Sequence, residues 1–358
     1  MKPKKVVLKT GVKWEVDFYL NGRGSKRKRK RFAKRQEAEL FKKEFLKDPK
    51  KMVAKDEAEQ EKRTFYSESL YWLNTRGVEV SAGHLQRVEG IINRLNKEYA
   101  TYPIRKFDHA LLSEIRRKLL GQNLTKATTN RWINAITAII NHSFEHRRIL
   151  ENPTLGFKLL KESRDEINFW EEAEVKSFLK YTKKKYAKLP SERWKYVAYL
   201  TALNTGLRAG ELWGLKVKDI KGARNAISIN RQYNGLSRKI SPTKGKDTRL
   251  VPCNSGLLVE LEKVISGKSL DDFVFTNQSG RPVCQNNFRN RSFSKDMIAS
   301  GVREIRFHDL RHTALTLMVG RGINLKTVQY IAGHKDITTT MKYVHLWVFK
   351  FNGVCGAS

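Results

Sequence analysis

The sequence predicts a multidomain chain, mainly α with small β-sheets, and three observations carry that expectation. With 358 residues, 40% of them hydrophobic, the chain exceeds the roughly 250 to 300 residues at which a single core stops growing. Apolar residues recur at helical spacing through most of its length, whereas strand-like alternation is confined to short stretches. Charge-dense polar stretches separate these periodic segments. The divisions fall at 1–47, a small β-sheet plus one helix; 48–63, a linker; 64–165, a helical domain; and 166–358, a mixed α+β domain with a C-terminal tail.

In the first segment Trp14, Val16, Phe18 and Leu20 alternate with Lys13, Glu15, Asp17 and Tyr19, the period of a half-buried strand. Gly22 and Gly24 supply a turn. Six consecutive basic residues, Lys26 to Arg31, then lead into Phe32, so a second strand carries charge on both faces; a disordered basic arm is the competing reading. A helix over about 34–46 sets Ala38, Phe41 and Phe45 on one side. Residues 48–63 have helix-forming polar composition without an apolar stripe, which suits a helical linker.

The second segment reads as helices around 66–76, 81–97, 109–120 and 126–147. In the last, threonines cap the start, and Trp132, Ile136, Ile139 and Ile140 share a face. Asn152 and Pro153 end the run, because proline stops helical propagation. Lys126, Thr128, Asn130 and Arg131 crowd the helix start, where unpaired backbone donors and the dipole favour phosphate. Ordinary capping accounts for the same residues. From 166 onward "INFWEEAEVKSFLKYT" opens a helix, and residues 226 to 252 read as one small sheet, with turns near Gly235 and at Gly245 and Asp247. Lys244 stands beside the second turn.

Charge narrows the partner. Lys and Arg total 71 against 36 Asp and Glu, and a net charge of +35 points to a polyanion, most often nucleic acid, with a membrane surface as the rival. No apolar run approaches the roughly 20 residues of a bilayer span, and the first residues lack the apolar core of a signal peptide, so a cytoplasmic location is expected. Cys253, Cys284 and Cys355 have neither paired spacing nor an even count, and read as reduced structural thiols.

Four segments of the last domain hold basic or nucleophilic side chains: "NTGLRAGEL" at 204–212, "SPTKGKDTRLVP" at 241–252, "FHDLRHT" at 307–313 and "GHKDITTTMKYVH" at 333–345. Each alone is weak. Together, in this order, they resemble the signature of the tyrosine recombinases, the phage-integrase family, over about 166–345. The resemblance continues more faintly through the helical segment to its closing "NP". It implies a SAM-like core-binding domain over 64–165 and a catalytic domain from 166. The basic β-rich segment before 47 then suits an arm-type DNA-binding domain, as in the lambda-type integrases, with Arg27, Arg29 and Arg31 on DNA beside Lys126, Thr128, Asn130 and Arg131 of the core-binding domain.

The implied activity is that of a site-specific DNA recombinase, an integrase that cleaves and rejoins DNA through a 3′-phosphotyrosine and integrates or excises a phage or mobile element. An Xer-like resolvase or conjugative-transposon recombinase has the same chemistry. A type IB topoisomerase shares its logic, and an inactive architectural protein is the reading of another class. Guanidinium groups bind phosphate oxygens bidentately without losing their proton, which fits Arg208 and Arg311 as the clamp on the transition state. By resemblance His308 shares the proton of the attacking hydroxyl, Lys244 serves as the acid for the departing 5′ oxygen, with Lys239 and Lys246 nearby, and His334 braces the phosphate or the nucleophile. Glu211 orients Arg208 or a histidine, and His312 and Asp309 read as supporting groups behind the site. Tyr343 is then the nucleophile, a phenol activated by a base and a cationic clamp.

No acidic triad stands beside the basic constellation, so chemistry without a metal or other cofactor is expected. The resemblance further implies double-stranded DNA with core and arm sites as partner, a homo-tetramer on that DNA, an accessory DNA-bending protein and an excisionase, and nucleoid association in a bacterial cytoplasm. The Thr-rich spacer reads as the start of a short helix carrying Tyr343, and beyond it Trp347, Phe349 and Phe351 alternate like a short strand. That tail packs either in cis or on a neighbouring protomer.

Overall fold

The computed structural model describes residues 2–8, 11–19, 27–47, 62–80, 82–162, 167–235, 237–243 and 248–352. The chain divides into two compact units, Met1–Ser163 and Arg164–Ser358. The expected helical linker, apart from its last residues, and the turn at Gly245 and Asp247 fall outside the described residues.

The first unit opens with an antiparallel sheet of β1 (Lys4–Leu8), β2 (Gly11–Tyr19) and β3 (Arg27–Phe32), in the order β1-β2-β3. Helix α1 (Arg35–Lys47) covers one face of it. Val16 and Phe18 meet Ala38, Phe41 and Phe45 there, all buried. Because Val16 is opposite Lys30 and Glu15 is opposite Arg31, strand alternation puts Lys30 on the helix-covered face and Arg31 on the other. The Lys30 ammonium accordingly lies 4.8 Å over the Phe41 ring.

Four helices follow: α2 (Phe65–Arg76), α3 (Ala82–Tyr99), α4 (His109–Gly121) and α5 (Lys126–Glu145). Their apolar stripes converge on Phe65, Ile92, Leu112, Ile133, Ile136 and Ile140. Thr64, Asp108 and Thr125 cap α2, α4 and α5 through side-chain oxygens, satisfying backbone donors that a helix start leaves unpaired. Glu68 is fully buried on α2 and accepts two hydrogen bonds from Arg148 and one from Ser143. That network ties the end of α5 and the residues after it to α2.

In the second unit α6 (Glu172–Ala187), α7 (Arg193–Thr205) and the short α8 (Ala209–Trp213) precede the strands. Residues 226 to 252 form two sheets rather than one. Strands β4 (Ile220–Lys221), β5 (Ala226–Ile229) and β8 (Arg249–Pro252) make the first, while β6 (Arg231–Asn234) and β7 (Lys239–Pro242) make a separate hairpin. The ladder breaks at Asn230, and the difference is one of burial. All four residues of β5 are buried, whereas those of β6 are only half-buried.

Helices α9 (Ser255–Ile265), α10 (Gln285–Phe288), α11 (Ser294–Ser300), α12 (Asp309–Gly320), α13 (Leu325–Ala332) and α14 (Ile337–Asn352) complete the chain. The core gathers Trp170, Phe178, Tyr199, Trp213, Phe275 and Phe293, and Asp296 within it accepts hydrogen bonds from Lys185, Tyr186 and Tyr199. The expected strand at 347–351 is helical instead. Thr340 and Tyr343 are buried, and Trp347 continues their stripe at i+3 and i+7, a helical face that the alternate aromatics had masked. The helix carrying Tyr343 is therefore long, not short, and it packs on α12 and α13 of the same chain.

Candidate active site

Three of the four motif segments converge, and the fourth contributes its last residues. Gly206, at φ +62°, ends α7 in the left-handed conformation that glycine adopts freely, and the chain turns there into Arg208 at the start of α8. Arg208 donates from Nη1 to Glu211 Oε1 and from Nη2 to the Gly333 carbonyl, both at 3.0 Å. Glu211 also accepts from the Arg208 backbone N–H at 2.9 Å. The expected orienting role of Glu211 toward Arg208 thus has a geometric basis.

Behind that carboxylate lies a residue that the sequence reading passed over. Arg249 donates from Nη1 and Nη2 to the two oxygens of Glu211, at 3.0 and 2.7 Å, and from Nε to the Ile331 carbonyl at 2.9 Å. Burial alone would favour protonation of Glu211, but the Arg249 hydrogen bonds and the positive charge around them hold its pKa below the usual carboxylate range. Its signal in the sequence was strand periodicity, since Arg249 shares the buried face of β8 with Val251. Gly333, at φ +62°, ends α13 so closely that an added Cβ would lie 3.0 Å from Arg249 Nη1.

Arg311 on α12 is 3% exposed. Its guanidinium donates to the Gly206 carbonyl at 2.8 Å and the Ala332 carbonyl at 2.6 Å, and its Nη2 lies 2.9 Å from His334 Nε2. An arginine can only donate, so Nε2 of His334 accepts and its Nδ1 carries the hydrogen, which points at Thr340 Oγ1 at 2.9 Å. Burial and the neighbouring arginines 311, 208 and 249 push the His334 pKa down to about 3, keeping the ring neutral. Burial and the Arg208 charge lower Arg311 itself to about 10, still protonated at neutral pH.

Tyr343 is 3% exposed. Its ring lies parallel to that of His334, with centroids 6.1 Å apart. Burial raises its pKa, while Arg311 and Arg208 pull in the opposite direction. The phenol oxygen is 3.0 Å from Nδ1 of His312, a residue the sequence reading had placed behind the site. His308 stands at the N-cap position of α12 without a capping side-chain hydrogen bond; the residue is exposed, yet partial desolvation and the neighbouring Arg311 lower its pKa, and it meets His312 edge to face at 5.1 Å. Asp309 is buried and takes hydrogen bonds from the Arg306 backbone and guanidinium, a structural role. Lys244 and Lys246 are outside the described residues, which resume one position before Arg249.

The expected DNA contacts are divided. On the open face of the N-terminal sheet Arg29 pairs with Asp17 at 3.1 Å and Arg31 with Glu15 at 2.5 Å. Arg27 lies opposite Tyr19 in the same ladder. Lys126 and Arg131 are exposed and Thr128 half-buried at the start of α5, where Thr128 and Arg131 share a groove with Arg87 and Arg94 of α3, two further cations. Asn130 is turned inward, its amide donating to the Leu160 carbonyl and Glu162 at 2.9 and 2.6 Å while its oxygen accepts from the Leu160 N–H.

The half-buried Arg208, the buried Arg311 and Arg249, three histidines and one shielded phenol thus gather at one place in the second unit, a set able to bind a phosphate. Residues 168–348 match the phage integrase family, and the chain belongs to that family, whose members cleave and rejoin DNA. Among its relatives, the ICEBs1 integrase of Bacillus subtilis is 25% identical over 289 residues, 75% of this chain and 76% of that one. A XerC-like tyrosine recombinase of Caldanaerobacter subterraneus is 30% identical over 258 residues, covering 64% and 65% of the two chains. In fold, the chain matches the Tn1549 transposon integrase solved with circular intermediate DNA, at a TM-score of 0.67 and 24% identity over 78% of this chain and 95% of that one. The family and its recombinases make this chain a site-specific DNA recombinase of the integrase type.

Proposed function

We propose that Tyr343 is the nucleophile of strand cleavage, and the convergence of Arg311, Arg208 and His334 around its ring carries the reading. Its oxygen attacks a DNA phosphorus, the bond to the 5′ oxygen breaks, and the product is a 3′-phosphotyrosine with a free 5′-hydroxyl. Reversal by a 5′-hydroxyl restores the phosphodiester without an external energy source. Extra negative charge on the non-bridging oxygens is met by the guanidinium groups of Arg208 and Arg311, already fixed by carbonyls and by Glu211. That preorganisation leaves little to rearrange at the moment of reaction. Lys244 supplies the proton to the departing oxygen, and His334 keeps Arg311 in place.

We further read residues 1–47 as the arm-type binding domain, 64–165 as the core-binding domain and 166–358 as the catalytic domain of an integrase of a phage or mobile element. Assembly on DNA is as a homo-tetramer, assisted by a DNA-bending protein and an excisionase, in the bacterial cytoplasm. The open face of the N-terminal sheet supports the first assignment, since DNA phosphates would compete with Asp17 and Glu15 for Arg29 and Arg31. The helical unit supports the second through its cluster of Arg87, Arg94 and Arg131. No helix among the described residues is long and apolar enough to cross a membrane.

The test is incubation of the chain, and of Tyr343→Phe, with nicked duplexes selected from a randomised pool by covalent capture, followed by a denaturing gel. A covalent adduct is expected with the unaltered chain only; an adduct that persists with Phe at 343 would refute the nucleophile. Deletion of residues 1–55 should remove binding to distal sites and leave core binding intact.

A further inference from the structure

We propose that His312, rather than His308, is the group that receives the proton of the Tyr343 phenol when the phosphotyrosine bond forms. The inference rests on Tyr343 as nucleophile. Two imidazoles of "FHDLRHT" are candidates, one turn apart on α12. Only one of them is on the phenol: His312 Nδ1 lies 3.0 Å from its oxygen, and the two rings are 5.7 Å apart. His308 instead stands at the N-cap of the helix and meets the His312 ring, 5.1 Å away, rather than the phenol.

The surroundings suit a proton acceptor. Tyr343 is 3% exposed, so bulk water has little access to the hydroxyl and the proton needs a protein partner. His312 lies between the buried Arg311 and Thr313, which hold the helix under its ring. The charged and titratable groups facing it are His308, Asp309, Arg311 and Arg306 on its own segment, with His334 and Tyr343 from the elements packed against it. Burial and the neighbouring His308 lower the His312 pKa to about 4, so the ring is neutral at physiological pH, and in the tautomer that carries its hydrogen on Nε2 the Nδ1 lone pair faces the phenol.

The step balances without a further reactant. The phenolic proton passes to Nδ1 of His312 as the tyrosine oxygen bonds to phosphorus. The bond from phosphorus to the 5′ oxygen breaks, and that oxygen leaves with the proton of Lys244. On rejoining, the 5′-hydroxyl attacks phosphorus as its proton passes back to Lys244, the bond from phosphorus to the tyrosine oxygen breaks, and His312 returns its proton to the departing phenolate. His308, at the surface, is left to donate a hydrogen bond to a non-bridging oxygen.

The experiment measures single-turnover adduct formation by the full chain on the captured nicked duplexes at saturating protein, from pH 6.5 to 9.5. The variants are His312→Ala, His312→Asn, whose carboxamide oxygen occupies the place of Nδ1, and Tyr343→Phe. His312→Ala is expected to slow cleavage about 100-fold or more, the usual contribution of a positioned base, without weakening DNA binding. His312→Asn should recover at most about tenfold of that loss and keep the steep pH profile of Ala, because its carboxamide oxygen can hold the phenol in place but cannot take its proton. The rate with Ala should climb about tenfold per pH unit as phenolate forms without a base, and the unaltered chain should show a flatter profile. Cleavage by His312→Ala within about threefold of normal overturns the inference. So does an Asn variant as slow as Ala with both keeping the normal pH profile, which marks a structural residue. An adduct with Tyr343→Phe would remove the nucleophile itself, a different failure from a fast His312→Ala.

Discussion

Arg249 grips Glu211 through two parallel hydrogen bonds, Nη1 to Oε1 at 3.0 Å and Nη2 to Oε2 at 2.7 Å, and thereby holds the carboxylate against Arg208. Both side chains are buried, at 8% and 2% exposure. Removing one partner from such a pair leaves an uncompensated charge, which costs about 3 to 5 kcal/mol, whereas replacing both with apolar groups of similar volume is often near neutral. Arg249→Met should therefore destabilise the catalytic unit by about 3 kcal/mol. The double variant Arg249→Met with Glu211→Leu should regain more than half of that. Urea denaturation of the four members of the cycle checks it, and an Arg249→Met chain with an unchanged midpoint would rule the pair out as a brace.

Asn130 spends its whole carboxamide on the segment that follows the helical core, holding Leu160 by both its carbonyl and its N–H. Truncation leaves those backbone groups unpaired, at about 1 to 3 kcal/mol. Asn130→Ala should therefore speed hydrogen exchange at the Leu160 amide, while the salt dependence of DNA binding stays the same because no cation is lost. Weaker DNA binding with unchanged exchange would instead make Asn130 a DNA contact.

These two side chains show what was legible in the sequence and what was not. Helices α2 to α5 were readable because their apolar stripes repeat over three or more turns, and Ile136, Ile139 and Ile140 are indeed buried together. Arg208, Arg311, His334 and Tyr343 were readable because motif spacing survives without coordinates, and the structure does bring them together. The partner of each polar group was not. Asn130 looked like a phosphate ligand because a helix start favours one, yet its ligand is the chain 30 residues later. His312 looked secondary because resemblance assigns the proton to His308, and only the packing of α14 on α12 brings the phenol to the other ring. The split of residues 226 to 252 into two sheets depended on burial around β5, which alternation alone does not report.

Gly320 ends α12 against the Trp347 indole of α14, and an added Cβ would clash with Cζ3, Cη2 and Cε3 of that ring. In an open helix Gly→Ala gains about 1 kcal/mol, but overpacking costs about 1 to 3 kcal/mol. The clash should win. Gly320→Ala is expected to raise hydrogen exchange along 340–347 and to slow adduct formation, since Tyr343 rides on the same helix. Adding Trp347→Ala should restore the exchange rates, because the methyl then has room; if both single variants and the pair exchange alike, the two helices do not lock at this point.

His334 provides a pH dependence whose sign follows from its neutral state. In the folded chain burial and the arginines 311, 208 and 249 lower its pKa to about 3, whereas an unfolded histidine titrates near 6.5. Below pH 6.5 the unfolded chain takes up a proton that the folded chain refuses, so stability falls as the pH falls toward 3. One such group contributes a slope of up to about 1.4 kcal/mol per pH unit. His312, lowered to about 4, acts in the same direction over the upper part of that window, and Glu211 adds to it only where unfolded carboxylates begin to protonate. His334→Gln removes the titration while keeping a side chain able to accept from Arg311. Between pH 6.5 and 5 the urea midpoint of the unaltered chain should therefore drop more steeply than that of His334→Gln, and equal slopes for the two chains would mean that His334 carries its proton in the folded state.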